Sequence, residues 1–372
     1  MLLHNPNLFN HYAATLPPDW PGGFWWHWLV FTVIIIAFVL TLVMGLIWIE
    51  RRGMARMQAR LGPNRVGPFG LLQPVADAIK VLLKEDIIPA RGDKIVHWLA
   101  PVIAFFPTLM IFAVVPFGNG ALLADLNVGI LYVIAISSVS TVGIFMAGWG
   151  SNNKYSLLGA MRNVAAVVSY EVPLVLSIVG VVLIAGSLSM NQIVLAQNIP
   201  FILLQPLGFL IFFIAGCAEI NRSPFDLFEA DSELVAGFHT EYSGMKFAMF
   251  YLTEYAEALA ISAIITTLFL SGWRGPILAP WLWFVIKTIA VFFVMVWTRT
   301  TLPRIRIDQL MALAWKFLFP LAVINLFITA IEVLAWPEAL PWTIILVNIA
   351  IMAVLVLLWS KFFKLGWGRV AV

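Results

Sequence analysis

Residues 172–218 read VPLVLSIVGVVLIAGSLSMNQIVLAQNIPFILLQPLGFLIFFIAGCA, a run without a single Asp, Glu, Lys or Arg. A helix crosses the ~30 Å hydrocarbon core of a bilayer with ~20 apolar residues, so this run is too long for one crossing. The polar segment 186–200 divides it, giving spans at 164–186 and 201–220. Outward from there the same reading places spans at 26–49, 97–118, 129–149, 248–271, 280–299, 313–335 and 341–361. The expected fold is all-α: a polytopic membrane helical protein with about nine transmembrane helices, a core of eight plus a C-terminal one. Composition agrees. Hydrophobic residues make up 62% and charged residues 11% of the chain, against ~45–50% and ~25% in soluble domains.

The basic residues then set an orientation. With the loop after the first span placed inside, 20 of the 22 Lys and Arg fall in the segments 51–96, 150–163, 221–247, 299–316 and 361–372. By the positive-inside rule the N-terminus is outside and the C-terminus inside. The cluster Phe24-Trp25-Trp26-His27-Trp28 and the pair Trp281 and Trp283 would form an aromatic belt at the outer interface. Residues 1–24 hold no Lys or Arg, and no small-residue cleavage site follows the first apolar run, so it is expected to stay in the membrane rather than serve as a cleaved signal. The chain reads as one integral membrane domain over 1–372. Its parts are an outer extension (1–25), an inner loop (50–96), an acidic inner loop (221–247) and the extra helix and tail (341–372).

Several chemistries are not encoded. The single cysteine, Cys217, excludes an iron–sulfur cluster, a cysteine zinc site or an intrachain disulfide made by this chain. The five histidines, at 4, 11, 27, 97 and 239, offer no pair at helical spacing. No glycine-rich nucleotide cradle is present. No 20–50-residue repeat and no matched pair of broken helices supports an inverted-repeat transporter.

The inner loop 50–96 is more patterned than a connector. Gly62-Pro63-Asn64-Arg65-Val66-Gly67-Pro68 is a stiff turn, and Glu50-Arg51-Arg52 is read as ending the first span. From about Leu71 to Lys84, Leu72, Val75, Ala76, Ile79, Leu82 and Leu83 recur at helical spacing, with Gln73, Asp77, Lys80 and Lys84 opposite them. This is an interfacial amphipathic helix. Its polar face either anchors the chain at the membrane surface or lines a cavity or partner. The stretch Gly70-Leu71-Leu72-Gln73-Pro74-Val75-Ala76-Asp77-Ala78-Ile79-Lys80-Val81-Leu82-Leu83-Lys84-Glu85, with the neighbouring Glu50-Arg51-Arg52 and Gly62–Pro68, resembles a signature of one membrane-arm family of respiratory complex I, the mitochondrial subunit 1 type with its bacterial H-type counterpart.

Charges in a bilayer cost ~2.5–3.5 kcal/mol or more at the helix centre and by default suggest function. On the expected spans, Glu171 lies roughly 10 Å from the inner edge, Glu254 and Glu257 roughly 9 and 14 Å, and Lys287 roughly 18 Å. Glu254 and Glu257 share a helix face. Glu219 ends the fifth span, and Asp226, Glu229, Asp231, Glu233 and Glu241 follow it with only Arg222 to balance them within 221–241. A lone intramembrane Glu is often a structural hydrogen-bonding partner. A run of them reads as a hydrated proton path, because closely spaced carboxylates oppose one another's ionisation and share protons.

The resemblance extends through Ser169-Tyr170-Glu171-Val172-Pro173, Ala218-Glu219-Ile220-Asn221-Arg222, Pro224-Phe225-Asp226 to Gly237, His239-Thr240-Glu241-Tyr242-Ser243-Gly244, Glu254-Tyr255, and Arg299 to Met311. It covers about residues 45–335, in order. Two positions depart from the family pattern: Phe228 stands where a small residue or Pro is usual, and Asp231 where Glu is usual. The resemblance implies a translocase subunit of a proton-translocating NADH-quinone oxidoreductase, inactive alone, in a prokaryotic plasma membrane. It would wall the quinone chamber and begin an acidic channel at the junction with the hydrophilic arm. It implies Glu50, Arg51, Arg60, Asp77, Asp226, Arg299 and Arg304 near the quinone, with Asp226, Glu229, Asp231 and Glu233 forming the acidic loop and Glu241 supporting it. Glu171, Glu219 and Glu254 would carry protonation onward. Glu257 and Lys287 join that proton-coupling set from the residue reading alone. No cofactor is expected on this chain. Quinone is the implied substrate, FMN and iron–sulfur clusters belong to partner subunits, and the other partners are the lipid bilayer and complex I subunits of both arms, with no nucleic acid. The rival readings are the homologous membrane subunit of a membrane-bound hydrogenase or other donor-linked complex, and a stand-alone proton or cation transporter.

Overall fold

The computed structural model describes residues 25–118, 121–227, 235–335 and 341–362. The helices in chain order are α1 (Trp25–Met57), α2 (Gln73–Leu82), α3 (Lys94–Ile111), α4 (Gly129–Gly150), α5 (Lys154–Ala185), α6 (Met190–Ala196), α7 (Phe201–Leu204), α8 (Pro206–Glu219), α9 (Gly244–Phe269), α10 (Pro280–Thr301), α11 (Ile307–Ala312), α12 (Phe319–Ala335) and α13 (Pro341–Phe362). A π-helical turn, Leu313–Leu318, fuses α11 to α12. Among the described residues seven helices are long and apolar enough to cross a membrane: α1 from Thr32, α3, α4, α5, α9, α10 and the fused Ile307–Ala335. The apolar helices α8 and, within α13, Thr343–Trp359 are shorter. Each of the nine expected spans overlaps a helix, the second ending at Ile111 rather than 118 and the fifth divided between α7 and α8, and the protein is an all-α polytopic membrane protein.

Three departures have local causes. Helix α1 continues past the apolar run to Met57, so Glu50, Arg51 and Arg52 lie within it. Arginine, alanine and methionine are good helix formers, and the stop comes only at Ala59 (φ 55°). The chain then doubles back so closely that a Cβ on Gly62 would stand 3.1 Å from the Arg52 Cα. Helix α5 begins at Lys154, where the Asn153 side chain accepts the Tyr155 N–H at 3.0 Å and so caps the first turn. The polar start 154–163 is helical, though apolarity alone did not mark it. The third departure is a break in the fifth span. Gln205, as the residue before Pro206, is kept out of the helical region, and the chain turns there between α7 and α8. The Leu204 carbonyl instead accepts Asn348 Nδ2 of α13 at 2.6 Å, while Gln205 Nε2 donates to Thr329 Oγ1 of α12 at 2.8 Å.

Helix α9 is the central element, with 67% of its most apolar stretch buried. Alanine, serine and threonine dominate its buried positions (Ala256, Ala258, Ala260, Ser262, Ala263, Thr266). Such small side chains let helices approach closely in a membrane, where packing and hydrogen bonds drive association. On its partner α8, a Cβ at Gly216 would meet Ile261 Cγ2 at 2.9 Å. Large side chains fill the rest of the core, with Tyr170, Phe212, Phe269 and Phe292 almost fully buried. Helix α2 forms where the amphipathic helix is expected, slightly shorter than 71–84. It exposes Val75, Ile79 and Leu82 and turns Asp77 toward α1. The extensions 1–24 and 363–372 lie outside the described residues.

Candidate functional site

Two groups of charged side chains are built where α9 meets its neighbours, at the end of the bundle that carries the basic loops. The first is ion-paired. Glu50 of α1 is completely buried. Its two carboxylate oxygens accept from Arg222 Nη1 at 2.7 and 2.6 Å, and Arg299 Nη1 of α10 donates to the same carboxylate. Arg222 also reaches Glu254 of α9, with Nε 3.2 Å from Oε1, and its guanidinium carbon lies 4.3 Å from the Tyr255 ring centroid. The turn after α8 aims it there. Asn221 adopts φ 54°, a conformation asparagine tolerates, and the Arg222 N–H donates to the Cys217 carbonyl at 3.1 Å. Burial alone would lower the Arg222 pKa, but the Glu254 and Glu50 carboxylates raise it above the ordinary guanidinium value. Arg222 is a charge permanently committed to this cluster.

The rest of the expected quinone-side residues form local pairs of their own or stand exposed. Arg51 Nη1 pairs with Asp77 Oδ2 at 2.5 Å, and Gln73 Nε2 donates to Asp77 Oδ1 at 3.0 Å, which ties α2 to α1. Arg304 Nη2 stands 3.5 Å from Asp226 Oδ1. Arg60 is exposed beyond the end of α1.

In the second group, Glu171, Glu219 and Glu257, the hydrogen-bond partners of Glu171 and Glu257 among the described residues are hydroxyls. Ser138 Oγ of α4 donates to Glu171 of α5. Thr108 Oγ1 of α3 lies 3.5 Å from Glu257 Oε1 of α9, and Ser140 of α4 also faces that carboxylate. Glu219, at the end of α8, is within electrostatic range of both Glu257 and Glu171. Pro173 inside α5 removes one helical hydrogen bond two residues beyond Glu171. Glu254 and Glu257 sit one turn apart on α9, so a single helix joins the paired group to the unpaired one.

Other expected residues fall elsewhere. Glu241 accepts Asn153 Nδ2 at 2.7 Å, tying the segment before α9 to the start of α5. Glu229, Asp231 and Glu233, with Phe228, lie outside the described residues. Lys287 does not meet the carboxylates. Its Nζ donates to the carbonyls of Leu270, Gly272 and Arg274 at 2.7, 3.0 and 2.7 Å, closing the far end of α9, roughly 20 Å along the helix from Glu257. Its distance from the inner edge suggests a midplane cation at the end of the acid run, but backbone carbonyls at a helix C-terminus are the natural partners of an ammonium. Sequence reasoning undervalues Arg222, although it is the only Lys or Arg within 221–241, and a lone permanent cation among acids is the signal that could mark it. It also passes over Glu332, which Asn348 meets at 3.2 Å. Among the described residues no group of three or more His, Cys, Asp or Glu side chains is placed to hold a metal ion.

Residues 30–330 match the NADH dehydrogenase family. The chain is 63% identical over 351 residues to the H subunit of NADH-quinone oxidoreductase from Dehalococcoides mccartyi (strain ATCC BAA-2266 / KCTC 15142 / 195), covering 94% of this chain and 99% of that one. It is 53% identical over 309 residues to the protein of the same name from Geobacillus kaustophilus (strain HTA426), covering 82% and 92%. A third relative of that name, from Bacillus thuringiensis (strain Al Hakam), is 51% identical over 321 residues, covering 85% and 96%. With a family match over most of its length and relatives that align nearly end to end, the chain belongs to the NADH dehydrogenase family that includes the H subunit of NADH-quinone oxidoreductase.

Proposed function

We propose that the chain is the membrane subunit of a proton-translocating NADH:quinone oxidoreductase, with its paired charges beside the quinone and its unpaired acids passing protons onward. The carrying observation is the placement of Glu254 and Glu257 one turn apart on α9, one ion-paired with Arg222 and the other hydrogen-bonded by hydroxyls. Quinone arriving from lipid would pass the apolar face of α2 and meet Glu50, Arg51, Asp77, Asp226, Arg299 and Arg304, with Arg60 at the approach. Two electrons delivered to quinone demand two protons, and an uncompensated charge in a low-dielectric site is expensive. Electron arrival would therefore shift the balance among Glu50, Arg222, Arg299 and Glu254. Glu257, Glu219 and Glu171 would respond by exchanging protons. The acidic loop residues Glu229, Asp231 and Glu233 are proposed to lead into the same set, with Glu241 holding the loop's stem. Lys287 stays in the proposal as a fixed cation at the far end of α9.

The electron carriers of such a complex, flavin and iron–sulfur clusters, would be held by partner subunits of a hydrophilic arm. This chain has one cysteine, Cys217, and it is buried in the core. The proposed location is a prokaryotic plasma membrane, with the basic loops and the C-terminus on the cytoplasmic side. The test is made on the intact complex, purified in mild detergent and reconstituted, with Glu171→Gln and Asp231→Asn beside wild type. Loss of quinone reduction or proton translocation with assembly preserved is the expected result. Full activity and full translocation in both variants would show that neither carboxylate is required. Reduction of quinone by NADH, rather than by hydrogen or a ferredoxin, separates this reading from the hydrogenase-type relative.

A further inference from the structure

Away from the paired cluster, helices α3 and α9 pack side by side along a seam. On α3 the buried residues His97, Pro101, Ala104 and Thr108 follow one another at helical spacing. On α9 the matching line is Lys246, Phe250, Thr253 and Glu257. The two ends of the seam are fixed by contacts. At the inner end His97 stacks on Tyr242, ring centroids 4.0 Å apart and planes at 10°, while Tyr242 meets Phe250 edge-on at 5.0 Å. At the deep end Thr108 faces Glu257. Between them Ala100, Ala104, Ala147, Tyr242 and Phe250 form a small core separate from the main one.

The inner end is polar beyond what packing needs. His97 is fully buried, and neither ring nitrogen has a hydrogen-bond partner among the described residues. The buried Tyr242 hydroxyl is also unpartnered there. Lys246 is buried and pairs with Asp86, which is half-exposed, at 3.0 Å. Ser243 laces the Asp86 segment to the start of α9, accepting the Ile87 N–H at 3.0 Å and donating to the Glu85 carbonyl at 3.1 Å. A neutral imidazole carries one donor and one acceptor. Leaving both bare in an apolar site is costly, so the ring calls for a small polar ligand that both gives and takes hydrogen bonds, which is water. Pro101, lacking an N–H, also leaves the His97 carbonyl without its helical partner.

We propose that His97, Tyr242, Lys246 and Asp86 form a proton entrance on the basic face, feeding Glu257 along the α3–α9 seam and separate from the quinone-side cluster. The inference rests on the reading of Glu257, Glu219 and Glu171 as proton carriers. In each passage a water-borne proton adds to the free ring nitrogen of neutral His97. A half-turn of the imidazolium about the Cβ–Cγ bond, which leaves the ring in its plane on Tyr242, turns that nitrogen toward the seam, where it releases the same proton to water, so charge and protons balance. The reverse half-turn of the neutral ring restores the starting state. The charges facing the ring are Lys246, Asp86 and Glu241, and α4 brings neither acid nor base to it. From His97 to Thr108 the path is about 16 Å, with the Thr253 hydroxyl along the way.

The test uses the whole complex in proteoliposomes, driven by NADH and quinone. Proton uptake from the basic-face medium is read per electron, and ferricyanide reduction reports the assembled hydrophilic arm. His97→Phe, which keeps an aromatic ring but cannot carry a proton, is expected to slow proton uptake more than fivefold with ferricyanide reduction unchanged. His97→Gln supplies polar contacts without proton cycling and is expected to be equally slow, whereas a structural histidine would be rescued by it. Should either His97 variant fail to assemble, Asp86→Asn at the half-exposed mouth carries the test, with an expected slowing of about threefold. Full uptake in the assembled variants overturns the entrance. A Glu257→Gln control keeps the two readings apart. If it loses uptake while the His97 and Asp86 variants keep it, only the entrance fails; if it too keeps full uptake, the proton-carrier reading itself fails.

Discussion

Glu50 and Glu219 are both carboxylates in the interior of a helix bundle, and the protein treats them in opposite ways. Glu50 is surrounded by cations, Arg222 and Arg299, and the group it forms with Glu254 contains two acids and two bases. Glu219 has Glu171 and Glu257 for neighbours, and the partners drawn to those two are hydroxyls. The first group is neutral when fully charged. The second would hold three negative charges if fully ionised. Removing one partner of a buried ion pair leaves an uncompensated charge and is strongly destabilising. Buried acids that outnumber their cations can keep electroneutrality only by holding protons, and so can carry them. One region is built to stay charged, the other to exchange.

The contrast is broken most severely by removing Arg222. Arg222→Met leaves Glu50 and Glu254 short of their shared cation and is expected to cost ~3–5 kcal/mol, read as loss of the subunit from membranes or a fall in the complex's thermal midpoint. Glu257→Gln should do the reverse: assembly near wild type, since a neutral amide replaces an acid that has no cation, but proton translocation reduced more than tenfold in reconstituted vesicles. If the stability losses came out reversed between these two variants, the division into a paired and an exchanging region would be wrong. Lys287→Met tests the claim that this lysine closes a helix rather than ending an acid chain. Three carbonyls lose their donor, and a loss of about 1–3 kcal/mol in stability is expected, visible as lower complex content after mild heating. Ser138→Ala sharpens the exchanging side. It removes the hydroxyl from Glu171 and is expected to slow translocation by severalfold while stability moves by ~1 kcal/mol.

The smallest effect lies outside both regions. Burial pushes the His239 imidazole, in the turn before α9, down from 6.5 to about 4. Between those values the folded chain binds fewer protons there than the unfolded chain. Its contribution to stability is therefore intact above pH 6.5 and declines as pH falls toward 4. A thermal midpoint measured from pH 7 to pH 5 should drop, and His239→Phe should flatten that slope.

Much of this architecture is written in local pattern. Apolar runs of ~20 residues and the helical spacing in 71–84 mark the spans and the interfacial helix, because the bilayer forces backbone bonds to be made within each helix. The acids Glu171, Glu219, Glu254 and Glu257 stand out by being charged where charge is costly. The partnerships are less legible. Glu50 meets Arg222 and Arg299 across 172 and 249 positions of chain, and nothing near Glu50 in sequence announces either. Apolarity also hides helix that extends past the hydrocarbon, as at Met57 and Lys154. Lys287 takes a different place from the one its height implies, because rise per residue fixes a height but not the direction of a side chain. His97 offers no motif at all; its meaning depends on Tyr242 and Lys246, which reach it from the start of α9.

The break at Gln205 has a consequence for how the chain is made. The Leu204 carbonyl, released by the turn at Gln205, finds its donor in Asn348, 144 positions later, and Gln205 finds Thr329 124 positions later. Ribosomes deliver the chain to the membrane from the N-terminus, so the fifth span is laid down with its hinge bare and waits for the final third of the protein to close it. A nascent chain arrested before residue 325 would carry an exposed polar notch in its middle, open to quality-control proteases. The late helices α12 and α13 thus act as a molecular signature of completion, sealing an early span only after synthesis has reached them.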